Sequence, residues 1–426
     1  MINFNEKLQG AVEALWEEAV RTLQEVVRID STTGREQEAQ DYMKGLLESL
    51  EMEIDMWNPT DEELRTMKSY SVCGASNLGE RPNVVGIAKG TGKGRSLILN
   101  GHIDTVPVND PSQWKFAPYS AEIEDGKLYG RGASDMKGGL LAAVYAYKAV
   151  RRAGIKLAGD LMIESVISEE DGGAGTLGCQ QRGYTADGAI IMEPSDTMVT
   201  TAETGTMLLR IIIEGKPAHG SAPYAGVSAI EKWNFLFTRL DQWDKARHAA
   251  SPDSRDPRFA RYEMVAPISF GKVHAGNWCA MLPNELVAEG RLGFMLDSDV
   301  ATTQAEFERV LNNIAREDPW LAQHPPRVEW YPTAWEAYNL PSDHPLVGTM
   351  QGACRALGVD DTLGGIPYGT DIKFMKEAGI PTVLFGPGTI TRAHFDNEYV
   401  VVEEFKKAIA VLAETIVCWC GIADET

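Results

Sequence analysis

A chain of 426 residues is longer than one ordinary hydrophobic core supports, and 44% hydrophobic with 24% charged residues is the make-up of a two-domain globular protein, not of a disordered or membrane chain. Forty Lys and Arg against 61 Asp and Glu leave a net charge of -21, whose field repels phosphate backbones and anionic lipid, so neither nucleic acid nor a membrane is an expected partner.

Met1 to Gly10 carries Glu6 and Lys7 with no apolar run behind them; no secretory signal is expected, and the cytoplasm is the expected location. Leu15, Ala19, Leu23, Val26 and Val27 recur at helical spacing and Asp30-Ser31-Thr32-Thr33-Gly34 breaks the pattern, so 8–50 reads as helix, turn, helix. Asn83 to Ala88 and Ser96 to Asn100 read as strands, and Gly138 to Arg152 as a helix rich in Ala and Leu. Its most apolar part, Leu140 to Val150, contains Lys148 and is too short to span a bilayer. Leu161 to Val166, Ala189 to Met192 and Thr382 to Phe385 are further short apolar strands, and such alternation with helices is that of an α/β fold.

From 204 to 334 the texture changes. Met207 to Ile213, Glu285 to Met295 and Arg327 to Trp330 read as strands, and Ser228 to Leu240 and Ala305 to Ala315 as helices. Asp241 to Arg261, polar and charged around Ser251-Pro252-Asp253, reads as a loop or ragged helix end. The expected organisation is therefore one α/β domain in two parts, 1–203 and 335–426, interrupted by an α+β lid.

The six cysteines, Cys73, Cys179, Cys279, Cys354, Cys418 and Cys420, are too scattered for a disulfide scaffold and read as reduced thiols. Cys418-Trp419-Cys420 has poor metal-site spacing and reads as part of a packed C-terminal helix.

Four strand ends carry the chemistry. Leu97-Ile98-Leu99-Asn100 runs into Gly101-His102-Ile103-Asp104, an imidazole and a carboxylate on the same side of extended backbone. That spacing suits His102 as a metal ligand with Asp104 fixing its tautomer. In Gly130-Arg131-Gly132-Ala133-Ser134-Asp135-Met136-Lys137-Gly138-Gly139, Asp135 fits an exposed turn ligand, whereas a phosphate cradle would call for Lys then Ser or Thr. After Leu161 to Val166 comes Ser168-Glu169-Glu170-Asp171-Gly172-Gly173. Adjacent residues of extended backbone face opposite ways, so one of Glu169 and Glu170 can ligate a metal while the other faces a bound water. Glu193 ends Ile190-Ile191-Met192, and Thr391-Arg392-Ala393-His394 supplies a second imidazole. Two His and three acids exceed one closed zinc site and suit two zinc ions that share a carboxylate.

On these motifs the chain resembles the dinuclear zinc metallopeptidases and deacylases that include acetylornithine deacetylase, succinyl-diaminopimelate desuccinylase, aminoacylase-1 and the glutamate carboxypeptidases. The likeness spans nearly the whole chain. Besides the clusters above it rests on Thr105-Val106-Pro107, Glu193-Pro194, Ala218-His219, Gly369-Thr370-Asp371 and Phe385-Gly386-Pro387-Gly388. The resemblance implies a mixed sheet flanked by helices, with the lid doubling as a dimerisation domain of a homodimer. It implies that Asp135 bridges two Zn2+, with His102 and Glu193 on one and Glu170 and His394 on the other; Co2+ or Mn2+ are expected substitutes. Glu169 is then the general base, Asp104 the orienter of His102, and His219 an oxyanion donor supplied to the partner subunit's site. Arg291 and Thr370 match positions that hold a substrate carboxylate in relatives.

Two departures bear on specificity. Ala280, not Asn, precedes Pro283 by three residues, which leaves Asn277 as the displaced substrate contact. Glu203-Thr204-Gly205 stands where the desuccinylase branch carries Arg, so a succinyl group would meet an anion, and Glu203 suggests a cationic substrate group. The expected activity is removal of a small acetyl or formyl group from an N-acylated amino acid or related amine. A carboxypeptidase or dipeptidase on the same scaffold, or a non-catalytic ligand-binding dimer, are the alternatives.

Overall fold

The computed structural model describes residues 4–70 and 77–424; Cys73 and Met1 to Asn3 lie outside the described residues. The chain divides into two compact units, one made of Met1–Thr201, Leu340–Gly364 and Phe374–Thr426, the other of Ala202–Asn339 and Gly365–Lys373.

The first unit is built on a mixed sheet in the order Glu53–Trp57, Asn83–Ala88, Leu161–Val166, Leu97–His102, Ala189–Ile191, Thr382–Leu384, Val199–Glu203, the last of which carries the chain out of the unit. The first three strands pair antiparallel, and the next three join Leu161–Val166 in parallel. These middle strands are buried at every position and open on apolar residues, Leu97-Ile98-Leu99, Leu161-Met162-Ile163 and Ala189-Ile190-Ile191. Register then aligns their carboxyl ends: His102 lies opposite Val166, and Asn100 and Leu384 both lie opposite Ile191. Everything that follows these residues in sequence emerges at one edge, where open α/β sheets hold their ligands.

Helix Gly138–Arg152 packs against Phe4–Arg28 and Val402–Cys420. Gly139 is required at its start, because a Cβ there would stand 2.0 Å from the Met192 carbonyl oxygen. The close approach brings the helix start, and with it the Asp135 turn, onto the strand that leads to Glu193. The second helix of the N-terminal pair is Gln37–Ser49, and the terminal Cys418 and Cys420 lie on Val402–Cys420 as expected. All five described cysteines are free thiols.

The second unit is a four-stranded antiparallel sheet in the order Ile268–Ala275, Glu285–Phe294, Gly205–Glu214, Arg327–Trp335. Met207, Leu209, Ile211 and Ile213 alternate onto one face and pack with Leu236 and Phe307 of helices Ala229–Ala250 and Val300–Ala315. Of the two readings of 241–261, the helix end holds for the first half: the helix runs on to Ala250. Asp241 pairs with Lys245 one turn on at 2.8 Å, and buried Asp244 accepts from Arg247 Nε at 2.8 Å and from the Ile268 N–H at 3.1 Å. The charges that suggested a loop are a polar helix face and a buried tie to the edge strand. Residues 365–373 return to this unit because Thr370 is bound to Glu203 and Gly369 sits against the Trp335 ring, with no room for a Cβ.

Candidate metal centre

All the residues read as metal ligands lie in the first unit. His102 ends its strand with Nε2 3.0 Å from Asp135 Oδ1 and 3.8 Å from Glu193 Oε1. Its Nδ1 lies 2.8 Å from the backbone carbonyl oxygen of Asp104, closer than the Asp104 carboxylate at 3.7 Å. The ring is thus oriented by the Asp104 backbone, while the carboxylate accepts the Glu169 N–H on Oδ1 and the Glu170 N–H on Oδ2, each at 3.2 Å.

Asp135 sits in a bent turn, Ala133–Lys137, entered through Gly132 at φ 81°. Glu398 Oε1 accepts the N–H groups of Ser134 and Asp135 at 2.9 and 3.1 Å, and its other oxygen pairs with buried Arg131 at 2.6 Å. The Asp135 oxygens point two ways: Oδ1 to His102, and Oδ2 to His394 Nε2 at 3.3 Å. His394 Nε2 also lies 3.0 Å from Glu170 Oε2. Ligand atoms of His102, Asp135 and Glu170 lie within 4.8 Å of one another, as do those of His102, Glu169 and Glu193.

So many carboxylates at one buried spot demand positive charge. Burial works against a charged His102, yet the Asp135 hydrogen bond and the Glu193 and Asp104 charges hold its pKa well above the ordinary value. Hydrogen bonds to Asp135 and Glu170 raise His394 to about 10. Asp135, which burial alone would raise, is held far below the carboxylate range by the two imidazoles. Burial pushes Asp104 up to about 7. Divalent cations among these oxygens would supply the same compensation, and imidazole with carboxylate is the donor set that zinc, cobalt and manganese accept. The residues fit such a group.

The other expected site residues belong to the second unit. His219 is exposed, with Nδ1 2.8 Å from Ser221 Oγ and accepting the Ser221 N–H at 3.2 Å, so Nε2 carries the proton. Asn277 is exposed on the loop after Ile268–Ala275. Arg291 donates from Nε to Thr206 Oγ1 at 3.1 Å and from Nη2 to the Pro367 carbonyl at 2.9 Å. Neither acceptor is charged, and burial lowers its pKa. Thr370 is 1% exposed, and its hydroxyl is occupied within the protein: it donates its one proton to Glu203 Oε2 at 2.6 Å and accepts the Ile372 N–H at 3.2 Å. Glu203 does not fit the expectation of a contact to a cationic substrate, because it is 0% exposed and spent on Thr370.

Glu36, Arg81, Arg131 and Glu398 are the buried charges that hold the site and that the linear reading missed. Arg131 stands inside the glycine motif around Asp135, but nothing in its neighbours marks it as paired with a residue 267 positions away.

Comparison with known proteins gives the family and the fold. The model of Peptidase family M20/M25/M40 matches residues 98–417. An N-formyl-4-amino-5-aminomethyl-2-methylpyrimidine deformylase of Halalkalibacterium halodurans is 31% identical over 408 residues, covering 90% of each chain. Acetylornithine deacetylase of Erwinia tasmaniensis is 28% identical over 338 residues, 78% of this chain and 82% of that one. Among solved structures, a tripeptidase from Staphylococcus aureus shares the fold with a TM-score of 0.71 at 22% identity, over 95% of this chain and 98% of that one.

Proposed function

This chain belongs to Peptidase family M20/M25/M40, and on that premise we propose that it is a two-zinc amidohydrolase that removes a small N-acyl group, formyl or acetyl, from an amino acid or related amine. One observation carries the reading: the two oxygens of Asp135 face two imidazoles, each of which has a carboxylate of its own, Glu193 beside His102 and Glu170 beside His394. The deformylase and deacetylase relatives support the small acyl group.

His102, Asp135 and Glu193 would hold one cation, and Asp135, Glu170 and His394 the other. When bound, the cations supply the Lewis acidity that lowers the pKa of an attacking water and polarises the amide carbonyl. Glu169 takes the proton of that water and returns it to the leaving amine nitrogen as the C–N bond breaks. The His219 Nε2–H donates to the developing oxyanion in the partner subunit's site. Arg291, whose protein partners are neutral acceptors, takes an anionic group of the substrate, and Asn277, exposed on the loop at the other end of the strand pair, is a separate substrate contact. Thr370 contributes through its backbone turn, since its hydroxyl is occupied.

The protein acts as a homodimer in the cytoplasm, where free thiols stay reduced. Support for the dimer comes from the second unit, whose edge strand Ile268–Ala275 runs beside a helix with Ile230 and Phe237 51% and 46% exposed.

The test is amine release from N-formyl, N-acetyl and N-succinyl amines and amino acids, and from dipeptides, by protein reconstituted with zinc or cobalt, with a chelated control. Chelator-sensitive turnover of a formyl or acetyl substrate, with about two metals bound per chain, is expected. Dipeptide turnover that exceeds every N-acyl substrate overturns the reading.

A further inference from the structure

We propose that Arg81 is a positioning residue for Glu169: its guanidinium clamps the loop that ends in Glu36 to the turn that carries Glu169 and Glu170, and so fixes where the base stands. The proposal rests on the reading of Glu169 as general base.

Sheet register brings Arg81 to the site. The strand Asn83–Ala88 runs antiparallel to Leu161–Val166 with Val84 opposite Ser165, so the residues just before Asn83 meet those just after Val166. Asn83 itself accepts the Ile167 N–H on Oδ1 at 3.2 Å. Arg81, 1% exposed, donates from Nε to both oxygens of Glu36 at 2.9 and 3.1 Å and from Nη2 to Oε1 at 2.6 Å. Its Nη1 and Nη2 also reach the two oxygens of Asp171, at 3.3 and 3.4 Å.

Each carboxylate leads back to the site. Glu36 accepts the Gly34 N–H at 3.1 and 3.0 Å and so closes the loop 31–36. That loop is bound along the strand end after His102: Ser31 Oγ donates to the Ile103 carbonyl at 2.7 Å, the Thr105 N–H donates to the Ser31 carbonyl at 3.1 Å, and the Thr33 N–H donates to the Thr105 carbonyl at 3.0 Å. Between Ile103 and Thr105 lies Asp104, which holds the Glu169 and Glu170 amides. On the other side, Asp171 follows Glu170 directly and accepts the Ser168 hydroxyl. The links form a ring: Glu36, the loop, Asp104, the Glu169–Glu170 backbone, Asp171, and back through Arg81.

A planar guanidinium spans two carboxylates with a fixed fork; an ammonium on a flexible stem cannot. Arg81 therefore does more than neutralise charge. It sets the separation of the two sides of the ring, and catalytic groups tolerate little displacement.

Arg81→Lys keeps the charge and removes the fork. In zinc-loaded protein, kcat should fall about 10- to 100-fold with KM within about two-fold, since a base misplaced by about an ångström costs that much. Metal content at saturating zinc should not change, so the loss of kcat is not a loss of metal. In chelated protein, hydrogen exchange of the peptide over 167–173 should quicken about ten-fold while helix Val402–Cys420 exchanges as before. Unchanged exchange in 167–173, or equal quickening in both segments, overturns the clamp. If the lysine variant does not fold, Asp171→Asn, which loosens only the turn side and leaves the Arg81–Glu36 pair, is read in the same way. Glu169→Gln run in parallel separates the two ideas: turnover by that variant overturns the base, whereas the exchange data alone decide on the clamp.

Discussion

The Glu170 backbone N–H donates to Asp104 Oδ2 at 3.2 Å, and the Glu169 N–H donates to Oδ1 of the same carboxylate at the same distance. One buried side chain thus presents the proposed base and a proposed ligand side by side, while its own carbonyl oxygen orients His102. Asp104→Asn turns an acceptor into a donor against one of the two amides. It should lower metal affinity and kcat together by about 10- to 100-fold, checked by cobalt titration and steady-state kinetics. Wild-type values for both would remove Asp104 from the site.

Glu169→Gln leaves the His102, Asp135, Glu170, Glu193 and His394 donors intact. Metal stoichiometry should match wild type, and kcat should fall by about a thousand-fold, the middle of the range for loss of a general base. Elemental analysis and single-turnover amine release on the same sample decide between lost metal and lost proton transfer.

Glu203 links pH to stability. Burial raises its pKa to about 8, with the Thr370 hydrogen bonds and the Lys373 charge opposing and Asp371 adding to the rise. A carboxyl whose folded pKa lies above its unfolded value binds its proton more tightly in the native state. The stability this gives is fully present below the unfolded pKa near 4.5 and is lost as pH climbs to about 8. Glu203→Gln, a permanently neutral replacement, should match wild type at about pH 5 and melt about 4 °C higher at about pH 9. Parallel melting curves at both pH values would show that Glu203 does not titrate in this range.

Phe237→Glu places a charge on the exposed apolar face of the second unit. If that face joins two copies, light scattering should show loss of about half the particle mass, and turnover should fall with it because His219 serves the partner subunit's site. A variant that stays dimeric, or a monomer with full activity, counts against the proposed assembly.

Much of the site was legible in linear order. His102, Glu193 and the Glu169–Glu170 pair each follow a short apolar run, and such runs announce buried strands whose ends meet. Helix Gly138–Arg152 and strand Leu161–Val166 were readable to the residue for the same reason. The helix over Ala229–Ala250 was read too short, because a charged helix face and a polar loop share a composition.

The sequence by itself determined the family, the α/β fold and the residues proposed as donors, since hydrophobic period and the order of chemistry-bearing residues are properties of the chain. Only the tertiary structure decided how the donors are held. That Asp104 uses its carbonyl for His102 and its carboxylate for two amides, that Arg81 joins Glu36 to Asp171, that Arg131 and Glu398 carry the Asp135 turn, and that Glu203 is spent on Thr370 are all pairings of residues far apart in sequence. A charge is stable in a core only where partners converge on it, and strand register, not spacing along the chain, determines which partners those are.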